Sequence, residues 1–216
     1  MTSSGSSTPA GVITFGMLKC GLVLALAIAP VFLSAQQKAS SKPAPPISPL
    51  RQDVLNGFDG AAGEALALAK TVAEDKYSWR PMEGVRSFGD VFVHMAGSTL
   101  LFCSYAGVKQ PQGPARDLAA VYMKRGFELP EIFAAEAAIT DKAKILAIMG
   151  QSFEQGRDLI RNMPAADLEK SVQFFGRPIT MQGLLILMGN HLHEHLGQAI
   201  AYARVNHIVP PWSQQK

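Results

Sequence analysis

A chain of 216 residues is long enough for one ordinary domain with extensions, and 48% hydrophobic against 17% charged residues is too apolar for disorder over most of its length. The formal charge of +3 comes without a dense Lys/Arg block, so the electrostatic footprint of a nucleic-acid binder is missing. Two cysteines, Cys20 and Cys103, with no CxxC spacing, exclude a disulfide framework, a zinc ribbon and a redox pair.

The first element in chain order is an address. Cys20 to Leu33 is a 14-residue apolar run, preceded by Lys19 and followed by Ser34-Ala35-Gln36-Gln37. It is shorter than the about 20 apolar residues of a membrane span, and Ala35 offers a small residue for cleavage. Residues 1–35 therefore read as a secretory signal peptide and the protein as exported, periplasmic or extracellular, with no membrane span after cleavage; an uncleaved anchor is the alternative. Cys20 precedes the apolar core, the wrong place for a lipid-modified cysteine. Residues 1–16 carry no positive charge, whereas Met17 puts Met-Leu-Lys directly before the apolar run, which makes Met17 an alternative start. Residues 36–48 are rich in Pro and Ser and read as a flexible tether.

The fold is expected over residues 49–216 as an all-α, four-helix bundle. Ser48-Pro49 places a capping residue before a proline at the first helical position, and Leu50, Val54, Phe58, Ala62, Ala65, Ala69 and Val72 then recur at helical spacing. This first helix is expected to end near Tyr77, ahead of Trp79-Arg80-Pro81, whose tryptophan is expected to cover the end of the bundle. Ser87-Phe88-Gly89-Asp90 fits a capping box and opens a second helix with the stripe Val91, His94, Met95, Ser98, Phe102 and Tyr105, stopping before Gly107. In that apolar setting Cys103 reads as a small core residue rather than a reactive thiol. Residues 108–138 hold three prolines and two glycines and read as a long crossover with one or two short helical turns.

Thr140 is expected to cap a third helix carrying Ile145, Ile148, Met149, Phe153, Leu159 and Ile160 as far as Met163-Pro164. Val172 to Pro178 reads as a short extended strap. Thr180 then caps a last helix with Leu184, Leu185, Met188, His191, Leu192, His195, Ala199 and Tyr202 on one face, ending near Asn206. Neither a GxGxxG, a Walker loop nor a GxSxG occurs, and four amphipathic helices bury their stripes against one another.

The chemistry rests on histidines. His191 and His195 are four apart, one turn above the other on one helix face, and His94 lies on the stripe of the second helix, where bundle stripes meet. A core histidine with a hydrogen-bond partner is the bland alternative for each. His193 points away from the pair and His207 follows the helix, so neither joins them. Three neutral imidazoles suit a divalent transition metal such as Zn, Ni, Fe or Cu and disfavour Mg or Ca. His191 to His195 also satisfies H-x-x-E-H, but the protease reading fails: only 21 residues follow His195, with no Asp or Glu among them to supply a downstream ligand. Glu194 reads either as a catalytic base beside the ion or as a solvated helix residue.

Trp79-Arg80-Pro81, Ser87-Phe88-Gly89-Asp90 leading to His94, and Asn190-His191-x3-His195-Leu196-Gly197-Gln198 together resemble the DinB-like superfamily over about residues 50–206. The resemblance implies a four-helix bundle with a long crossover between its second and third helices, and a metal on His94, His191 and His195. Glu194 stands where members often carry a second histidine. Known activities in the superfamily are thiol-dependent, transfer of low-molecular-weight thiols and a thiol-dependent isomerisation, while many members have no known reaction. An ion on three histidines leaves open positions at which a thiol or water loses its proton readily. The expectation is thus an enzyme that activates a thiol or water against a small-molecule substrate, with Zn, Ni or Fe as cofactor; a homodimer is compatible with it. A non-catalytic metal- or ligand-binding bundle is the alternative.

Overall fold

Helix boundaries follow from where the backbone ends find partners. In a computed structural model, which describes residues 47–213, helix α1 (Pro49–Thr71) opens on the Ser48 cap with proline at its start, and its buried face is Leu55, Phe58, Ala61, Ala62, Ala65, Leu68 and Ala69. Leu50, expected on the stripe, is instead 45% exposed. The helix also stops before Tyr77. Its last carbonyls are taken early: the Tyr77 hydroxyl donates to Ala69 O at 2.7 Å, and Lys142 Nζ donates to the carbonyls of Lys70 and Val72 at 2.9 and 2.6 Å. The signal-peptide and Met17 expectations, and all but the last two residues of the tether, lie outside the described residues.

Helix α2 (Phe88–Tyr105) starts on the expected capping box, with Ser87 Oγ accepting from Asp90 N at 3.2 Å and the Asp90 carboxylate accepting from Ser87 N at 2.8 Å. Cys103 is fully buried on it, and burial pushes its thiol up to about 12, so it is inert. The crossover contains two short helices, α3 (Arg116–Tyr122) and α4 (Leu129–Ala137). Helix α5 (Lys142–Asn162) is capped by Asp141 rather than Thr140: the Asp141 carboxylate accepts from Lys144 N at 2.6 Å. The strap is a two-stranded antiparallel hairpin, β1 (Ser171–Phe174) and β2 (Arg177–Thr180), registered Phe174 to Arg177. Its two-residue turn puts both Phe175 (φ 48°) and Gly176 (φ 75°) in the left-handed region, the geometry whose twist matches paired strands. The all-α expectation is corrected here: the fold is mostly helical with one small sheet. Helix α6 (Met181–Val205) begins on Thr180, as expected.

The four long helices share one core, α1 and α2 each packing on both α5 and α6, while α3 and α4 lie against α2. Phe58 meets Phe153 edge-on at 6.3 Å, and Arg157 ties to Asp59 at 2.6 Å across α1 and α5. Among the described residues no helix is long and apolar enough to cross a membrane. Trp79 is half-buried and sets its ring edge-on to Tyr202 of α6 at 5.4 Å. Trp79→Ala is therefore expected to cost about 2 kcal/mol, less than the about 3–5 kcal/mol of a fully buried ring. Urea unfolding checks it: an unchanged midpoint would mean the ring covers nothing.

Candidate metal centre

The residues that meet on α2 and α6 do so because each helix carries its histidines on the face it buries. His94 lies one turn before Ser98, and His191 and His195 lie one turn apart, so the three rings converge with centroids 4.4 Å (His94 and His195), 4.5 Å (His191 and His195) and 5.3 Å (His94 and His191) apart. One ring nitrogen from each lies within 4.8 Å of the others. His94 Nε2 and His191 Nε2 are 3.3 Å apart. A tetrahedral ion about 2.0–2.1 Å from each imidazole separates neighbouring nitrogens by about 3.3 Å, so these two donors stand at the spacing such an ion requires.

The opposite edges of the rings face acceptors. His94 Nδ1 lies 2.7 Å from Glu136 Oε1 and 2.9 Å from the Tyr122 hydroxyl, and His195 Nδ1 lies 2.8 Å from Gln198 Oε1. A carboxylate or amide oxygen accepts only, so Nδ1 carries the proton in both rings and the Nε2 lone pair is left for a metal. The Glu136 side chain is 1% exposed and fixed by Arg86, whose Nε and Nη2 donate to its two oxygens at 2.6 and 3.1 Å, and by the Tyr122 hydroxyl. Burial pushes the Glu136 carboxyl up, but hydrogen bonds from His94 and Arg86, the His94 charge and the Tyr122 bond outweigh it and hold the group below its ordinary value. Tyr122, buried beside that carboxylate, has its hydroxyl pushed up and stays protonated. Gln198 Nε2 donates to the Tyr202 hydroxyl at 3.1 Å, which donates to the Arg86 carbonyl at 3.3 Å. Arg86 thereby supports His94 through its side chain and His195 through its backbone.

Tyr122 reaches this position because α2 has a glycine beneath it. A Cβ on Gly97 would come within 2.3 Å of the Tyr122 ring. Outward from His191, Phe102 lies at 5.9 Å, stacks on Phe174 at 5.2 Å, and continues through Phe175, Tyr105 and Phe127, an aromatic wall beside the histidines.

The sequence-derived residues divide cleanly. His94, His191 and His195 come together. His193 is exposed and turns to the Gly189 carbonyl at 2.9 Å, and His207 is exposed beyond α6. The Glu194 side chain is 73% exposed, with an oxygen 3.8 Å from His191 Nδ1, on the ring edge facing away from His94. Sequence reasoning does not reach Tyr122 and Glu136, which lie on α3 and α4 in the stretch expected to be a connection, nor Arg86, which lies just ahead of the α2 cap. The available signal was Glu136 itself, a lone acid in the apolar run Ile132-Phe133-Ala134-Ala135-Glu136-Ala137-Ala138-Ile139.

Residues 58–199 match the DinB superfamily, about two thirds of the chain. The chain belongs to the DinB superfamily. Two solved structures are similar to this DinB-superfamily chain. A DinB-like protein from Bacillus cereus aligns with a TM-score of 0.56 and 18% identity over 74% of this chain and 95% of that one, which supports the fold. A DinB-like protein from Bacillus subtilis aligns with a TM-score of 0.45 and 21% identity over 76% of this chain and 99% of that one. No curated protein matches.

In this DinB-superfamily chain the surroundings of His191 and His195 favour their neutral, metal-binding forms. Burial, then the charges of His195, His94 and Arg86, lower the His191 imidazole from 6.5 to about 4, and burial first also lowers His195. The unfolded chain takes up these protons more readily than the folded one. The contribution of these two histidines to the stability of the metal-free protein is therefore fully present above pH 6.5 and lost as pH falls toward about 4. Melting temperature of chelator-treated protein is expected to drop across that window, less steeply for His191→Gln; equal slopes in both proteins would contradict the assignment.

Proposed function

We propose that this chain is an exported, metal-dependent enzyme that activates a thiol or water against a small electrophile. The observation that carries the reading is the pairing of converging Nε2 atoms with outward Nδ1 atoms, one of them anchored on the buried Glu136. When bound, a divalent ion such as Zn, Ni or Fe supplies a Lewis acid that lowers the pKa of a thiol or water. His94, His191 and His195 would hold it, and Glu136, Arg86, Tyr122 and Gln198 keep two of the rings in the correct tautomer.

Among the described residues two carboxylates lie near the histidines, Glu136 at 2.7 Å from His94 Nδ1 and Glu194 at 3.8 Å from His191 Nδ1. Glu136 is saturated by Arg86, Tyr122 and His94, which leaves as the candidate base Glu194, whose exposed side chain must swing round from the outer edge of His191 to reach the ion. The aromatic wall from Phe102 to Phe175 supports an apolar substrate part beside the site, with a low-molecular-weight thiol as co-substrate. The long-helix pairing supports the four-helix bundle with α3 and α4 as its crossover. Export rests on the Lys19, Cys20 to Leu33 and Ala35 layout.

The test is thiol conjugation and ester or amide hydrolysis on generic substrates, with and without chelator. Chelator-sensitive turnover that falls in Glu194→Gln while metal content stays constant supports the reading. Stoichiometric metal with no turnover in either assay would leave a non-catalytic binding module. N-terminal sequencing of protein from its natural host checks export: a mature start near Gln36 is expected, and soluble cytosolic protein retaining residues 1–35 would contradict it.

A further inference from the structure

Three hydroxyl-bearing side chains of α2 sit within seven residues, and one behaves differently from the other two. Thr99 donates to the Met95 carbonyl at 2.9 Å and Ser104 to the Leu101 carbonyl at 2.7 Å, the ordinary resting place of a helical hydroxyl. Ser98, 3% exposed, instead directs Oγ between two imidazoles, 3.1 Å from His191 Nε2 and 3.3 Å from His94 Nε2. With the 3.3 Å between those nitrogens, the three atoms make a nearly equilateral triangle. The oxygen thus borders the space in which an ion held by the imidazoles, and the further group bound to it, would sit. A neutral serine hydroxyl is a weak ligand beside three imidazoles, but it carries one proton that it can donate, and its oxygen lies within hydrogen-bond distance of both nitrogens.

We propose that Ser98 is a working part of the metal centre, its hydroxyl donating a hydrogen bond to the anionic small molecule, thiolate or its like, that takes the open position beside His94 and His191. This deepens the metal-dependent reading and rests on it. The neighbouring support network cannot take the role, because Glu136 accepts only, while Tyr122 and Arg86 are already committed to Glu136 on the far edge of His94. Ser98 is a positioning residue: it leaves the ion to the histidines and sets how tightly the exogenous group is held.

The experiment loads the full chain with Co(II), whose visible spectrum reports coordination, and titrates azide as the anionic probe. Ser98→Ala is expected to keep Co(II) binding while azide affinity falls about tenfold or more, the loss of one hydrogen bond to a charged group. Ser98→Cys is expected to add a sulfur-to-cobalt charge-transfer band that wild-type protein lacks, since it puts a thiol beside the open position. Wild-type azide affinity in Ser98→Ala, or Co(II) binding by Ser98→Cys with no such band, would overturn the proposal while leaving the histidine site standing. Failure of wild-type protein to bind Co(II) at all would remove the metal reading and this inference with it.

Discussion

Glu136→Ala is expected to be among the most damaging single changes in the domain, lowering stability by about 3 kcal/mol or more and metal affinity by about 10–100-fold. The stability loss arises because Arg86, largely buried at 18% side-chain exposure, loses the carboxylate that pairs with two of its nitrogens. A buried guanidinium without a partner costs more than the pair contributed, so the effect exceeds that of deleting a surface ion pair. The affinity loss has a different cause. Without the carboxylate His94 Nδ1 keeps only the Tyr122 hydroxyl at 2.9 Å, which can donate as well as accept, so the ring is freer to place its proton on Nε2, the atom facing His191, and each such tautomer must shift before a metal binds. Glu136→Gln retains an acceptor oxygen and is expected to recover part of the affinity. Urea unfolding and competitive metal titration separate the two effects; a folded Glu136→Ala with wild-type metal affinity would reduce the network to a structural role.

The second large effect is expected at the histidines. His94→Ala, His191→Ala and His195→Ala should each bring metal occupancy to background, since a two-imidazole remnant holds a divalent ion far more weakly than three. His193→Ala and His207→Ala should leave occupancy unchanged, because His193 is hydrogen-bonded to the Gly189 carbonyl and His207 is exposed past the end of α6. Elemental analysis of the five variants after identical purification checks this. Metal surviving in His94→Ala alone would place the ion on α6 without α2.

Much of the framework was legible because the signals are local. The Ser48-Pro49 start, the Ser87 capping box and the Thr180 cap all mark helices that begin where expected, since a cap depends on three or four consecutive residues. The convergence of His94 with His191 and His195 was legible too, as periodicity places all three on buried faces. The early end of α1 was not, because it depends on Tyr77 folding back and on Lys142 arriving from α5, 70 residues away from Val72. The hairpin was read only as an extended strap, since four-residue strands carry too few positions for alternation to show. Arg86, Tyr122 and Glu136 were missed for a related reason. They come from three separate segments and acquire meaning only when α3 and α4 fold back over His94, with Gly97 leaving room for the Tyr122 ring. A crossover rich in proline and glycine looks like a connection, yet it supplies the groups that orient a histidine.

Elemental analysis of protein purified without a histidine tag, followed by a melting curve with and without chelator, tests the central claim most directly. One equivalent of a divalent transition metal per chain, with a melting temperature that falls on chelation by several degrees, is the expected result. No stoichiometric metal and a melting temperature indifferent to chelator would show that His94, His191 and His195 are core histidines satisfied by Glu136, Ser98 and Gln198 alone.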